Sequence, residues 1–175
     1  MGSAGIPVPP GGRRYFRGMD TSRTRCRVAG SAEAEEVAGL LDRFQREFDG
    51  PTPGAGRLAE RVRTHVTTEL SVFVLAGPEH VGVAQLRFRD HLFTARPVCL
   101  LEEFYVVPEQ RGRGHGSEVL DAAMRVARQR GAATMELGTA FNDSAARAVY
   151  EKFGFTNLER EGRPETRMLY YEREL

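Results

Sequence analysis

Residues 101–118 read LEEFYVVPEQRGRGHGSE, and the order of residue types in that stretch decides how the chain is built. A β-branched and aromatic run, Phe104, Tyr105, Val106 and Val107, stops at Pro108. Gly112, Gly114 and Gly116 then occupy every second position and lead into an alanine-rich amphipathic segment. The pattern predicts strand, loop, helix. Glycines without a Cβ let the backbone approach a ligand, and the first N–H groups of a helix lack intrahelical partners and lie at the positive end of its dipole. A phosphate suits such a loop. The spacing is neither Gly-x-Gly-x-x-Gly nor Gly-x-x-x-x-Gly-Lys-Ser/Thr, which argues against the two commonest nucleotide loops.

What stands here is Arg111-x-x-Gly114-x-Gly116, preceded by Val106-Val107-Pro108 and followed by Ser117. It resembles the pyrophosphate loop of the GNAT superfamily of acetyl-CoA-dependent N-acetyltransferases. Downstream, residues 142–155, NDSAARAVYEKFGF, resemble that family's second signature, Asn-x-x-Ala-x-x-x-Tyr-x-x-x-Gly-Phe. Two motifs in the right order make the resemblance specific, and it covers residues 24–175. It implies an α/β fold with a mixed, mostly antiparallel central sheet, helices on both faces, and acetyl-CoA as cosubstrate. By the same resemblance the backbone of Phe104, Tyr105, Val106 and Val107 pairs with the pantetheine arm where the fifth strand diverges from the fourth. Arg111, Gly112, Arg113, Gly114, His115, Gly116 and Ser117 surround the pyrophosphate, mainly through main-chain N–H groups, and Asn142, Asp143 and Ala146 add contacts. The family asparagine stands seven positions before the tyrosine, where this chain has Asp143, with Asn142 one earlier. Either the loop is shifted by one residue or an aspartate replaces the amide.

Acetyl transfer to an amine needs a proton acceptor, because an amine at neutral pH is mostly protonated, and a donor for a leaving thiolate of pKa ~8.5. Glu102 and Glu103 are adjacent acids inside an apolar run, unusual because an unpartnered buried carboxylate is costly. Strand alternation predicts that they face opposite ways, so that only one meets the substrate, and Arg87 or Arg89 is available to pair with one of them. The strand and loop are similar to those of spermidine/spermine-type acetyltransferases, which implies Glu102 as general base and Glu103 as a helper that binds a cationic acceptor. The resemblance also makes Tyr150 the acid that protonates the thiolate. Tyr150 equally fits an apolar helix stripe with Ala146, Val149 and Phe153.

The remaining readings come from the chain as a whole. It has 175 residues, 41% hydrophobic and 28% charged, as expected of one globular domain; residues 1–20, rich in Gly, Pro and Arg, read as a flexible leader to a single domain over 21–175. A formal net charge of +1 gives no global field for nucleic acid or an anionic membrane. Neither a membrane span nor a signal peptide is evident, so a cytoplasmic home is expected. Cys26 and Cys99 read as buried free thiols, and no His, Cys or carboxylate pair has metal-ligand spacing. The acceptor expected is a primary amine of a small molecule: a polyamine, an aminoglycoside-like compound or an amino-acid derivative. The alternatives are a protein N-terminal or lysine acetyltransferase and a non-catalytic acyl-CoA sensor, and a homodimer is compatible with any of these.

Periodicity predicts a first strand over 24–28, then a helix capped by Ser31 with Val37, Leu40, Leu41, Phe44 and Phe48 as its apolar stripe. A shorter helix carries Leu58, Val62 and Val66. Strands follow over 70–76 and 81–88 around a turn at 77–80, then a loop, the strand 98–107, the helix 113–130, a fifth strand 134–138 and a helix 143–153. Short strands are expected over 155–159 and 166–173.

Overall fold

The computed structural model describes residues 26–77 and 79–158, together with 163–164, 167–169 and 173. The proposed leader lies outside these residues, as do 159, 166 and 170–172 of the last two expected strands. Five strands form one sheet in the order β1 (Cys26–Val28), β2 (Val72–Ala76), β3 (Gly82–Arg89), β4 (Val98–Val106) and β5 (Thr134–Leu137). The first four are antiparallel neighbours, and β5 joins β4 in parallel. A parallel neighbour needs a crossover, which α3 (His115–Gln129) provides. The sheet is therefore mixed and mostly antiparallel, as expected.

Helices α1 (Ala34–Glu47) and α2 (Ala55–Thr67) pack together and cover one face; α3 covers the other, against β1 to β4. Every residue of β2 is buried, because that strand lies under helices on both sides. From α3, Val119, Leu120, Ala122, Ala123, Val126 and Ala127 are buried. Removing a side chain such as Leu120 from water contributes ~1.5–3 kcal/mol. Such contacts fix where the amino end of α3 sits relative to β4.

Element ends account for the local differences from expectation. Ser31 lies within a 3-10 turn, Ser31–Glu33, and the turn opens at Gly30, whose N–H donates to the Glu33 carboxylate at 2.7 Å. Phe48 is the residue after α1 and is 59% exposed, stacked edge-on against Phe44. Leu70 precedes β2 and is 50% exposed. Near the carboxyl end the expected strands reduce, among the described residues, to one isolated antiparallel bridge between Leu158 and Arg167; residues 155–157, 168–169 and 173 are not in strand.

Candidate active site

β3 and β4 pair with Gln85 opposite Glu103 but Leu86 opposite Leu101, so Glu102 is an extra residue in β4. This is a β-bulge, and it cancels the strand alternation at this point. Glu103 shares a face with Gln85, its cross-strand partner. Glu102 turns to that same face, since its Oε2 accepts from Gln85 Nε2 at 2.8 Å and its Oε1 from Arg87 Nη1 at 3.2 Å. The expectation that the two acids point opposite ways is thus corrected. Both lie on the face that α1 and α2 cover further along the sheet, where Tyr105 packs on Phe44.

Their surroundings differ. Glu102 has a hydrogen-bond donor on each oxygen, whereas Glu103 has no hydrogen-bond or ion-pair partner among the described residues. Burial, reinforced by the neighbouring Glu102 charge, raises the Glu103 carboxyl above the ordinary glutamate value.

β5 pairs with β4 only from Val98↔Thr134 to Leu101↔Leu137, while β4 runs on to Val106. Beyond Leu101 no strand pairs with the β5 side of β4 among the described residues. Val107 N–H donates to Val81 O at 2.9 Å, so by ladder alternation Tyr105 and Val107 direct their main-chain groups to β3. Phe104 and Val106 direct theirs to the opposite side. Of the four residues expected to offer their backbone, Tyr105 and Val107 face β3, and Val107 is a buried core residue.

This end of β4 leads into the glycine loop. Gly112 and Gly114 have φ of +73° and +91°, conformations that strain any residue with a Cβ. The first hydrogen bond into α3 runs from Glu118 N–H to Gly114 O, and the N–H groups of Gly112, Arg113, Gly114, His115, Gly116 and Ser117 have no acceptor among the described residues. Arg111 is different. Its N–H donates to Pro108 O, its Nε donates to Val106 O at 2.9 Å, and its guanidinium pairs with Glu47 at the end of α1 at 2.7 Å. Tyr105 Oη donates to the same Glu47 at 3.0 Å. Arg111 thus fastens the loop to α1 rather than offering its amide. His115 leans on Glu118 at 3.3 Å, and Arg113 is exposed.

α4 (Ser144–Lys152) packs against Phe104 of β4 through Tyr150. Asp143 caps it by accepting from Ala146 N–H at 2.9 Å, so the expected contacts from Asp143 and Ala146 are already engaged with each other, while Asn142 is exposed. Asp143 serves as the N-cap of α4, a position that asparagine and aspartate fill for the same reason. Tyr150 is 7% exposed, its ring packed between Phe104 and Phe155 at 5.7 and 6.0 Å between centroids. Its hydroxyl keeps some solvent exposure and has no hydrogen-bond partner among the described residues. Burial, with Asp143 adding to it, pushes the phenol up to about 12.

Sequence reasoning missed Glu47, which carries no motif, and a buried polar pair, Ser71 and Gln85, behind Glu102. A glutamine inside the apolar run of β3 was the available signal. Both cysteines are buried and free, their thiols raised to about 11 for Cys26 and about 12 for Cys99 by burial, which suppresses thiolate chemistry. Among the described residues no His, Cys, Asp or Glu cluster has the geometry of a metal site, and no helix is long and apolar enough to cross a membrane.

The sheet whose β4–β5 pairing ends at Leu101 beside a glycine loop is the arrangement that the resemblance to acetyl-CoA-dependent acetyltransferases implies. The acetyltransferase (GNAT) family model matches residues 37–155, and the chain belongs to that family of acyltransferases. It is 31% identical over 147 residues to aminoglycoside N(6')-acetyltransferase type 1 of Stenotrophomonas maltophilia, covering 81% of this chain and 92% of the relative. It is 28% identical over 131 residues to the uncharacterized N-acetyltransferase YhfO of Bacillus subtilis (strain 168), covering 74% and 87%. A proposed acetyltransferase from Arthrobacter sp. FB24 superposes with a TM-score of 0.80 at 40% identity, covering 90% of this chain and 100% of its own.

Proposed function

We propose that the protein acetylates a primary amine of a small molecule with acetyl-CoA, and that Glu103 takes the amine's proton. The observation that carries this reading is the bulge at Glu102, which turns two carboxylates to one face beside the stretch of β4 beyond its pairing with β5. The N–H groups from Gly112 to Ser117, without an acceptor among the described residues, fit a pyrophosphate, and the outward main-chain groups of Phe104 with the N–H of Val106 fit the amides of a pantetheine arm, while Arg111 holds Val106 O. Acetyl-CoA supplies a thioester carbon that accepts the amine nitrogen and releases a thiolate.

Glu103 is the better base of the two acids because its lone pairs are free and its surroundings raise its proton affinity. Glu102, held by Gln85 and Arg87, is a fixed negative charge that draws the ammonium form of the acceptor to Glu103. This reverses the roles implied by resemblance alone. Tyr150 turns its hydroxyl to the thiolate. A phenol near 12 is a weaker acid than a thiol at ~8.5, so Tyr150 stabilises the developing thiolate as a hydrogen-bond donor rather than by giving up its proton outright.

The aminoglycoside-acetylating relative supports a small amine over a peptide terminus. Thiol release from acetyl-CoA, followed over a panel of aminoglycosides, polyamines, amino-acid derivatives and short peptides, tests the reading. Amine-dependent release with at least one small amine is expected. Release with peptides alone would contradict it.

A further inference from the structure

Behind Glu102 runs a line of polar side chains for which the acetyl-transfer chemistry above has no use. Ser71 and Gln85 are buried at 3% and 9% exposure, and Gln85 sits between apolar neighbours in β3. Gln85 Nε2 lies 2.8 Å from Glu102 Oε2 and 2.9 Å from Ser71 Oγ, and Ser71 Oγ lies 2.9 Å from His65 Nδ1 on α2. A carboxylate accepts only, which fixes the Gln85 amide with its nitrogen toward Glu102. Both amide hydrogens are then committed, one to Glu102 and one to Ser71. Ser71 Oγ, accepting from Gln85, also shares a hydrogen bond with His65 Nδ1, which holds the hydroxyl in place.

Both donors of the Gln85 amide are thus used, and one of them ends on Glu102. On the other oxygen Arg87 donates at 3.2 Å. With both oxygens held, rotation of the Glu102 carboxylate breaks a hydrogen bond either way. Burying a glutamine in a β-strand is costly unless its amide is used, and here a brace on α2 fixes its orientation. We infer that Gln85 is a positioning residue: braced by Ser71 and His65, it locks the Glu102 carboxylate beside Glu103, so that the acid pair meets the acceptor amine in one arrangement. The inference rests on the reading in which these two acids serve acetyl transfer.

The charged and titratable groups facing the pair are Arg87 from β3, Glu103 itself from β4 and His65 from α2; Arg89 and Glu136, paired at 2.7 Å, follow along the same face. The test uses the full chain with carbon-13 labelled glutamate, reading the Glu103 carboxyl titration by NMR in Gln85→Met, Glu102→Gln and the double variant. Met fills the glutamine's volume without a donor. The Glu103 midpoint should fall in Gln85→Met, because the released Glu102 charge rotates away. It should fall at least as far in Glu102→Gln, and no further in the double variant.

Turnover of any amine identified in the panel should drop about 10-fold in Gln85→Met, as for one lost hydrogen bond to a charged group. It should drop no further when Glu102 is already Gln. Acetyl-CoA affinity should hold in both. Ser71→Ala, one bond removed, should give a smaller fall of the midpoint in the same direction, which keeps the test in force if Gln85→Met folds poorly. A wild-type midpoint in Gln85→Met and Ser71→Ala, alongside a lowered one in Glu102→Gln, would overturn the positioning role and leave the acid pair intact. An added effect of Gln85→Met in the Glu102→Gln background would overturn it as well, since Gln85 would then act by packing. A midpoint and turnover unmoved by Glu102→Gln would sink the acid-pair reading and the inference with it.

Discussion

Glu102 and Glu103 are chemically identical and adjacent, and their neighbours alone separate their roles. Glu103 is raised by burial and by the charge beside it, so the folded state holds its proton more tightly than the unfolded chain does. Its contribution to stability is complete below the ordinary glutamate value and is lost as the pH rises through the higher folded value. Glu103→Gln should therefore melt above wild type at pH 7, and a thermal scan at pH 4 should show the difference closing. On the proposed function, Glu103 would cost stability at the pH where it acts as base. Tyr150 gives a second prediction at this scale. Tyr150→Phe keeps the ring between Phe104 and Phe155 and should leave the melting temperature nearly unchanged while kcat falls about 10²- to 10³-fold, as when one transition-state donor is removed. Because the phenol stays protonated up to about 12, kcat should show no basic limb from Tyr150 below that value. Unchanged kcat would reduce this tyrosine to a core residue.

Among the elements, the glycine loop, α3 and the stripes of α1 and α2 were legible because their signals are local: glycine spacing, a β-run ended by proline, a helical period. The bulge was not. It is a property of the register between β3 and β4, and nothing in LEEFYV by itself says that Glu102 is the residue left unpaired. Glu47 was equally invisible, since its partner Arg111 lies 64 residues away and neither belongs to the other's motif. Yet that pair fixes the loop to α1. Arg111 holds the Glu47 carboxyl below the ordinary glutamate value, so the pair's stabilisation is present above that value and is lost as the pH falls through the depressed one. Glu47→Gln should raise the acetyl-CoA Kd about 2- to 5-fold, as for a half-exposed ion pair, with kcat nearly unchanged. Calorimetry would check the first quantity and steady-state rates the second. An unaltered Kd would mean that the loop holds its shape without α1.

Over the whole molecule, four antiparallel strands and a parallel fifth create a change of pairing along β4 that no single element contains. β4 is held by β3 along its length and by β5 only as far as Leu101, so one strand is paired on both sides at one end and on one side, among the described residues, at the other. A titration of coenzyme A followed by amide NMR should move Phe104, Val106 and Gly112 through Ser117 most and Val107 least. The acid pair lies on the adjoining face, where an amine can approach the thioester. The most direct test of this account is the rate of amine-dependent thiol release from acetyl-CoA by Glu103→Gln, measured beside Glu102→Gln with the acetyl-CoA Kd determined for each. The account predicts a loss of about 10²- to 10⁴-fold in kcat/KM for Glu103→Gln, a smaller loss for Glu102→Gln, and an unchanged Kd in both. Wild-type turnover by Glu103→Gln, with Glu102→Gln inactive, would contradict the assignment and return the proton to Glu102.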